Sequence, residues 1–154
     1  MTLANMTQAE TNKQNTDHCK HIADTLEMIA KGTLYICSEC GEFVNIEDHE
    51  DSELYDLIYS GDECTCPECG ETATFEPVSV YDWLQDALDI EYVVSSDREY
   101  RACRIMVTCG GPNIYVDTRS GSVELYWWSD RASYPLSSSA CFALDEALQE
   151  LYNC

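Results

Sequence analysis

Two copies of the pattern Cys-x-x-Cys-Gly constrain this chain more than any other feature. Cys37 and Cys40 form the first pair, Cys66 and Cys69 the second, and 25 residues lie between the pairs. Two thiolates three positions apart can bind one metal ion from a tight turn, which the trailing glycine permits. The spacing therefore predicts a four-cysteine metal site formed by Cys37, Cys40, Cys66 and Cys69.

Four thiolates form a closed tetrahedral site that takes zinc or iron, with one metal ion per chain. A closed four-thiolate site leaves no position open for water, so the metal stabilises a fold and activates no substrate. Ten cysteines without an export signal favour reduced thiols over disulfides. Cys64 stays an alternative ligand because it stands two residues before Cys66. Surface positions are expected for the histidines and free thiols for the other cysteines, namely His18, His21, His49, Cys19, Cys103, Cys109, Cys141 and Cys154.

The cysteine-containing segment, residues 35–75, resembles two families of small metal-binding domains. It resembles a zinc ribbon, a structural fold built on four cysteines. It also resembles rubredoxin, an acidic iron protein with the same cysteine pattern. Rubredoxins pack an aromatic cluster around a Gly/Pro-rich loop, whereas residues 42–65 contain no proline and include a predicted helix that begins near Ser52. The resemblance implies zinc, with a rubredoxin-like iron electron carrier as the alternative.

The distribution of charge limits the partners of this chain. The net charge is −21, and residues 32–97 hold 18 acids without a single Lys or Arg. A surface this acidic is repelled by phosphate backbones, so we expect no direct binding of DNA or RNA. The plain explanation of such acidity is a solvated surface that keeps the protein soluble. That explanation predicts acids spread along the whole chain, whereas here the excess lies in residues 32–97.

The acidic residues predict a surface for a basic protein. Duplex DNA carries one charge per ~1.7 Å of its axis, and closely spaced carboxylates can mimic part of such a row. Six acids fall within residues 47–56, and three more recur at helical spacing in residues 82–89, which predicts that those three share one helix face. The predicted partner-binding residues are Glu47, Asp48, Glu50, Asp51, Glu53, Asp56, Asp82, Asp86, Asp89 and, as an aromatic anchor, Trp127.

Hydrophobic periodicity predicts an α+β fold. We expect a flexible tail over residues 1–16, a helix over 17–32 and a zinc-ribbon-like module over 33–77. The remaining α+β domain, 78–154, should contain a helix from Ser79 to about Asp89, a four-stranded antiparallel sheet and a C-terminal helix that begins near Ser138. No apolar run reaches membrane-spanning length and no signal peptide is visible, which favours the cytoplasm.

The C-terminal part, roughly residues 98–152, resembles a short acidic domain of phage and mobile-element proteins. The stretch from Thr108 to Ser137 carries this resemblance. With the cysteine module and the acidity, the chain resembles anti-CRISPR proteins directed at type II RNA-guided Cas nucleases. The resemblance implies an inhibitor that acts inside a bacterial host cell and binds the nuclease with its guide RNA, where nucleic acids lie in positively charged channels.

The sequence predicts no enzyme. All three histidines precede residue 50, and no serine or cysteine stands in a known nucleophile motif. Three hypotheses remain at this point: the acidic inhibitor, the rubredoxin-like electron carrier, and a zinc-ribbon adaptor that joins other proteins.

Overall fold

The computed structural model describes residues 7–154 and has the α+β class expected from the sequence. Its first half begins with a long helix and continues into short strands that flank the cysteine pairs. In chain order these elements are α1 (Gln8–Lys31), β1 (Leu34–Cys37), β2 (Phe43–Asn45), a 3-10 helix (Ile46–His49), α2 (Glu53–Ser60), β3 (Cys64–Thr65), β4 (Thr72–Ala73) and β5 (Phe75–Pro77).

The second half forms one antiparallel sheet between two helices in sequence. Its elements are α3 (Val80–Leu84), β6 (Asp89–Val94), β7 (Tyr100–Thr108), β8 (Asn113–Asp117), β9 (Ser122–Trp127), β10 (Asp130–Pro135) and α4 (Ser138–Asn153). The sheet has five strands in the order β10-β9-β8-β7-β6, not the predicted four. The sequence pattern does not indicate β10, because this strand is polar, lies at the sheet edge and ends on Pro135, which cannot donate to a ladder.

Helices α1 and α4 cover one face of the five-stranded sheet. Alternate residues of β7, β8 and β9 point toward these helices, and Ile105, Val116 and Leu125 are fully buried there. From α4, Leu144 and Leu148 complete this core. The antiparallel sheet thus buries one face and leaves polar residues on the other.

Helix α1 begins nine residues earlier than the predicted start at Asp17. Thr7 caps it in a capping box with Glu10, in which each side chain bonds the other residue's backbone N–H. In the first turn of α1, the side-chain amide of Gln8 donates a hydrogen bond to the carboxylate of Asp130 in β10. This turn therefore contacts the edge of the sheet. The prediction of a flexible tail is therefore wrong for residues 8–16. These residues are polar because they form the solvent-facing start of a helix. Residues 1–6 of the predicted tail lie outside the described part.

The cysteine module, residues 33–77, has its own small sheet and core. Strand β1 lies between β2 and β5 in an antiparallel three-stranded sheet, and β3 pairs with β4. The predicted short helix is present as α2, with Gly61 ending it in the left-handed conformation. One face of the three-stranded sheet packs on α2 and the hairpin through Tyr35, Val44 and Phe75.

Helix α3 is much shorter than predicted. It ends at Leu84, where we expected a helix that reaches Asp89. The backbone N–H of Leu88 instead donates to the carbonyl of Met106, which draws the chain into the sheet at β6. Consequently Asp82, Asp86 and Asp89 do not share one helix face, and that prediction is wrong.

A polar network fastens α4 to the sheet. The Asp145 carboxylate accepts hydrogen bonds from the Tyr100 hydroxyl at 2.6 Å and from the Thr118 hydroxyl at 2.7 Å. Thr118 in turn accepts a bond from the backbone N–H of Cys103, at 2.9 Å. These contacts join α4, β7 and the segment after β8.

Among residues 7–154, no helix combines the length and the apolar character needed to cross a membrane.

Candidate metal centre and acidic surface

The four predicted ligands come together at one end of the cysteine module. The Sγ atoms of Cys37, Cys40, Cys66 and Cys69 all lie within 4.8 Å of one another. Sulfur atoms around a tetrahedral zinc at ~2.3 Å are about 3.8 Å apart, and the Cys40 and Cys66 sulfur atoms are 3.9 Å apart. All ten cysteines, which lie within the described part, are free. The group could therefore bind a metal ion.

The two cysteine turns have the same hydrogen bonds. In the first, Cys37 donates its N–H to the Glu42 carbonyl at 3.0 Å and accepts from the N–H of Gly41 at 3.0 Å. In the second, Cys66 makes the equivalent bonds with Glu71 and Gly70, each at 2.9 Å. Both glycines have positive φ, +72° and +77°, which other residues adopt only at a cost. The glycine of each Cys-x-x-Cys-Gly pattern is thus required by the turn.

The sulfur atoms occupy unequal environments. Cys37 and Cys66 are buried, whereas Cys40 and Cys69 are the more exposed pair. The backbone N–H of Cys40, followed by that of Glu39, lowers the pKa of the Cys37 thiol to about 7. At Cys40 the N–H of Glu42 acts in the same direction, but burial and the neighbouring thiols raise the pKa to about 12. Four thiolates this close repel one another, and a bound cation is what offsets that repulsion.

Cys64 does not belong to the four-sulfur group. It lies buried on β3, and burial raises the pKa of its thiol. The alternative ligand considered from sequence is therefore not needed to complete the site. His18 and His21 are exposed on α1, as expected, and His49 is half-buried at the end of the 3-10 helix.

All nine predicted partner-binding acids are exposed. None of them takes part in an ion pair within residues 7–154, where four surface pairs involve other acids. Six of the nine lie on the 3-10 helix, on α2 and on the turn between these elements. Asp82 has a further role, because its carboxylate accepts hydrogen bonds from the backbone N–H and the hydroxyl of Ser79 at 2.8 Å and 2.7 Å. These bonds hold its pKa below the usual value.

Folding brings acids from the two halves together around one cleft. The cleft has a volume of about 820 Å³ and lies between α1, the three-stranded sheet and α3. Asp48 from the module and Asp82 and Asp86 from the α3 region line it, together with Glu76 of β5. Sequence reasoning did not single out Glu76, and no local pattern marks it.

The predicted aromatic anchor lies at the far end of β9. Trp127 is 38% exposed, and the adjacent Trp128 is 90% exposed at φ +54° in the turn to β10. The two rings meet edge to face with centroids 5.9 Å apart. Trp128 is thus the more accessible of the two, because β9 ends at Trp127 and Trp128 lies in the turn that follows. The other missed aromatic is Phe43, which lines the cleft and is 55% exposed.

Comparisons with known proteins return no relatives: no family model, no curated protein and no solved structure matches this chain.

Proposed function

We propose that this chain is a zinc-stabilised acidic inhibitor, an anti-CRISPR protein, that binds a basic surface of a type II RNA-guided Cas nuclease. It would act without catalysis in the cytoplasm of a bacterial host cell, where it blocks nucleic-acid loading or cleavage and so counteracts host defence. One observation carries the proposal. The nine contact acids are exposed and unpaired within residues 7–154, in a segment that contains no Lys or Arg.

Zinc is the metal that the donor set and the module favour. Tetrahedral sulfur sites take zinc or iron. The loop between the two pairs is a folded segment with a 3-10 helix and α2, unlike the Gly/Pro-rich loop of a rubredoxin, and this supports zinc. Thirteen acids and no Lys or Arg fall in residues 32–77, and their mutual repulsion opposes folding. A metal bridge between the two turns offsets this repulsion.

The sign of the charge supports a basic protein as the partner. A cysteine-stabilised module that binds nucleic acid presents Lys and Arg to phosphates. Here the exposed charged residues of the module are carboxylates, so the attraction is toward proteins that themselves bind phosphate backbones. Such proteins hold guide and target strands in positively charged channels. Binding through exposed charges is salt-sensitive because the Debye length falls to ~10 Å at 0.1 M salt.

The proposal is tested on purified protein and an immobilised type II Cas nuclease–guide RNA complex. We expect a colourless protein with one zinc per chain that is retained at 50 mM salt and released at 500 mM. Bound iron with a red colour and a reversible redox change would replace the proposal with the rubredoxin-like carrier. Zinc without retention at either salt concentration would leave the adaptor that binds another basic protein.

A further inference from the structure

The cleft between the two halves is a better-defined binding site than the acidic surface as a whole. We infer that it binds a cationic amphipathic segment of the partner protein, one that combines Lys or Arg with bulky apolar side chains. This inference rests on the proposed function and specifies the part of the partner that is bound. Its elements are an apolar floor, an acidic rim and an outer sheet face that α1 and α3 cover only in part, which leaves Phe43 55% exposed.

The floor of the cleft is the outer face of the three-stranded sheet. Ile36 pairs with Phe43 on one side and with Glu76 on the other, so these three side chains point to the same face. All three line the cleft, and the opposite face carries the core residues of the module. Trp83 of α3 and Ile22 of α1 add apolar surface across the gap.

The rim of the cleft carries four carboxylates. Asp48, Glu76, Asp82 and Asp86 line it, all four are exposed, and none makes an ion pair in the part of the chain that the structure describes. Among residues 7–154, His21 is the one lining side chain that can carry positive charge. An apolar floor with a negative rim is complementary to a segment whose apolar side chains insert while its cations meet the carboxylates.

The volume of the cleft and the charge of the protein favour a short cationic segment over a second copy of this chain. A volume of about 820 Å³ falls within the range of about 300–1,000 Å³ that is typical of ligand sites, so a short stretch of chain fits. A second copy of this protein is disfavoured because each copy carries a net charge of −21 and would bring its own negative field to the rim. A cationic segment gains from the same field.

The test uses titration calorimetry with the full, metal-loaded chain. The probe is the amidated octapeptide Lys-Leu-Arg-Phe-Lys-Leu-Arg-Phe, and its counterpart with Glu at every basic position is the negative control. The cleft variant is Asp48→Asn, Glu76→Gln, Asp86→Asn. Its matched control is Asp17→Asn, Asp97→Asn, Glu63→Gln, which removes the same charge from exposed sites outside the cleft lining and outside the predicted partner-binding set. Asp82 is left intact because it caps α3.

We expect one peptide per chain and an affinity about ten-fold weaker for the cleft variant, as the loss of three exposed ion pairs implies. The control variant should change affinity less than three-fold, and the Glu peptide should not bind. A second pair of variants tests the contribution of the apolar floor. Phe43→Ser should weaken peptide binding, whereas Tyr59→Ser, which removes a more exposed ring outside the cleft, should not.

Equal loss in the two triple variants would overturn the inference in favour of diffuse charge attraction, and so would failure of the cationic peptide to bind. Dimerisation of the chain that is abolished by Phe43→Ser would assign the cleft to a second copy instead. Nuclease inhibition is measured with the same proteins. Peptide binding in the cleft without nuclease inhibition would overturn the assigned partner alone, and inhibition that the cleft variant retains in full would overturn the cleft alone.

Discussion

Replacing Cys66 with serine should unfold the cysteine module while the five-stranded sheet stays folded. Cys66 is 1% exposed and belongs both to the sulfur group and to the core of the module. Structural zinc sites contribute about 10–16 kcal/mol of apparent binding free energy at pH 7, so one ligand of four carries about 2.5–4 kcal/mol. Small domains have only about 5–15 kcal/mol of stability in total. Without metal, the module keeps a small apolar core under strong charge repulsion.

The assay combines elemental analysis with hydrogen exchange read by mass spectrometry. In Cys66→Ser, zinc should fall well below one per chain and peptides from residues 34–77 should lose protection. Peptides from residues 100–127 should keep it, because their core of Ile105, Val116 and Leu125 lies with α1 and α4. Cys64→Ala is the matched control: it removes a buried sulfur outside the group, costs about 1 kcal/mol at most, and should leave zinc content unchanged. Full zinc content and full protection in Cys66→Ser, or equal damage in Cys64→Ala, would refute the reasoning.

Four further predictions follow from the same contacts. Alkylation of the native, metal-loaded protein should modify Cys109 and Cys154 first, and a chelator should then expose four more thiols. Burial raises the pKa of Cys19 to about 11, so this thiol should stay unreactive until the protein unfolds globally. Gly41→Ala should cost about 1–2 kcal/mol and weaken zinc affinity because of its positive φ, whereas Gly111→Ala should be nearly neutral; equal thermal shifts would contradict this. Tyr100→Phe should lower the free energy of unfolding by about 1–3 kcal/mol by removing a charge-assisted bond to Asp145, and an unchanged urea midpoint would contradict it. Charge reversal at Asp51 and Asp56 to Lys should weaken retention on the nuclease complex at low salt without changing zinc content; retention equal to wild type would argue against the acidic surface.

The four-cysteine group and many of the elements could be predicted from sequence because they depend on local patterns. The repeated Cys-x-x-Cys-Gly spacing identifies the four sulfur atoms that the structure brings together. Alternation of apolar residues likewise indicates β6 to β9, and Ser138 marks the start of α4 as expected. In these segments the local signal and the tertiary structure agree.

The failures occur where tertiary contacts override a local pattern. Polar residues 8–16 look like a tail, but Thr7 and Glu10 begin a helix whose side packs along β10. Residues 85–89 have helical apolar spacing, yet Leu88 joins the sheet through Met106. The cleft had no sequence signal, since it depends on how α1, α3 and the three-stranded sheet pack together.

The most direct test of the account is a cleavage assay. A type II Cas nuclease, preassembled with guide RNA, is mixed with increasing amounts of the zinc-loaded protein before target DNA is added at 100 mM salt. The account predicts that cleavage falls to background near one inhibitor per nuclease, and that the chelated protein or Cys66→Ser inhibits far less. Full cleavage at a hundred-fold excess of zinc-loaded protein would contradict it.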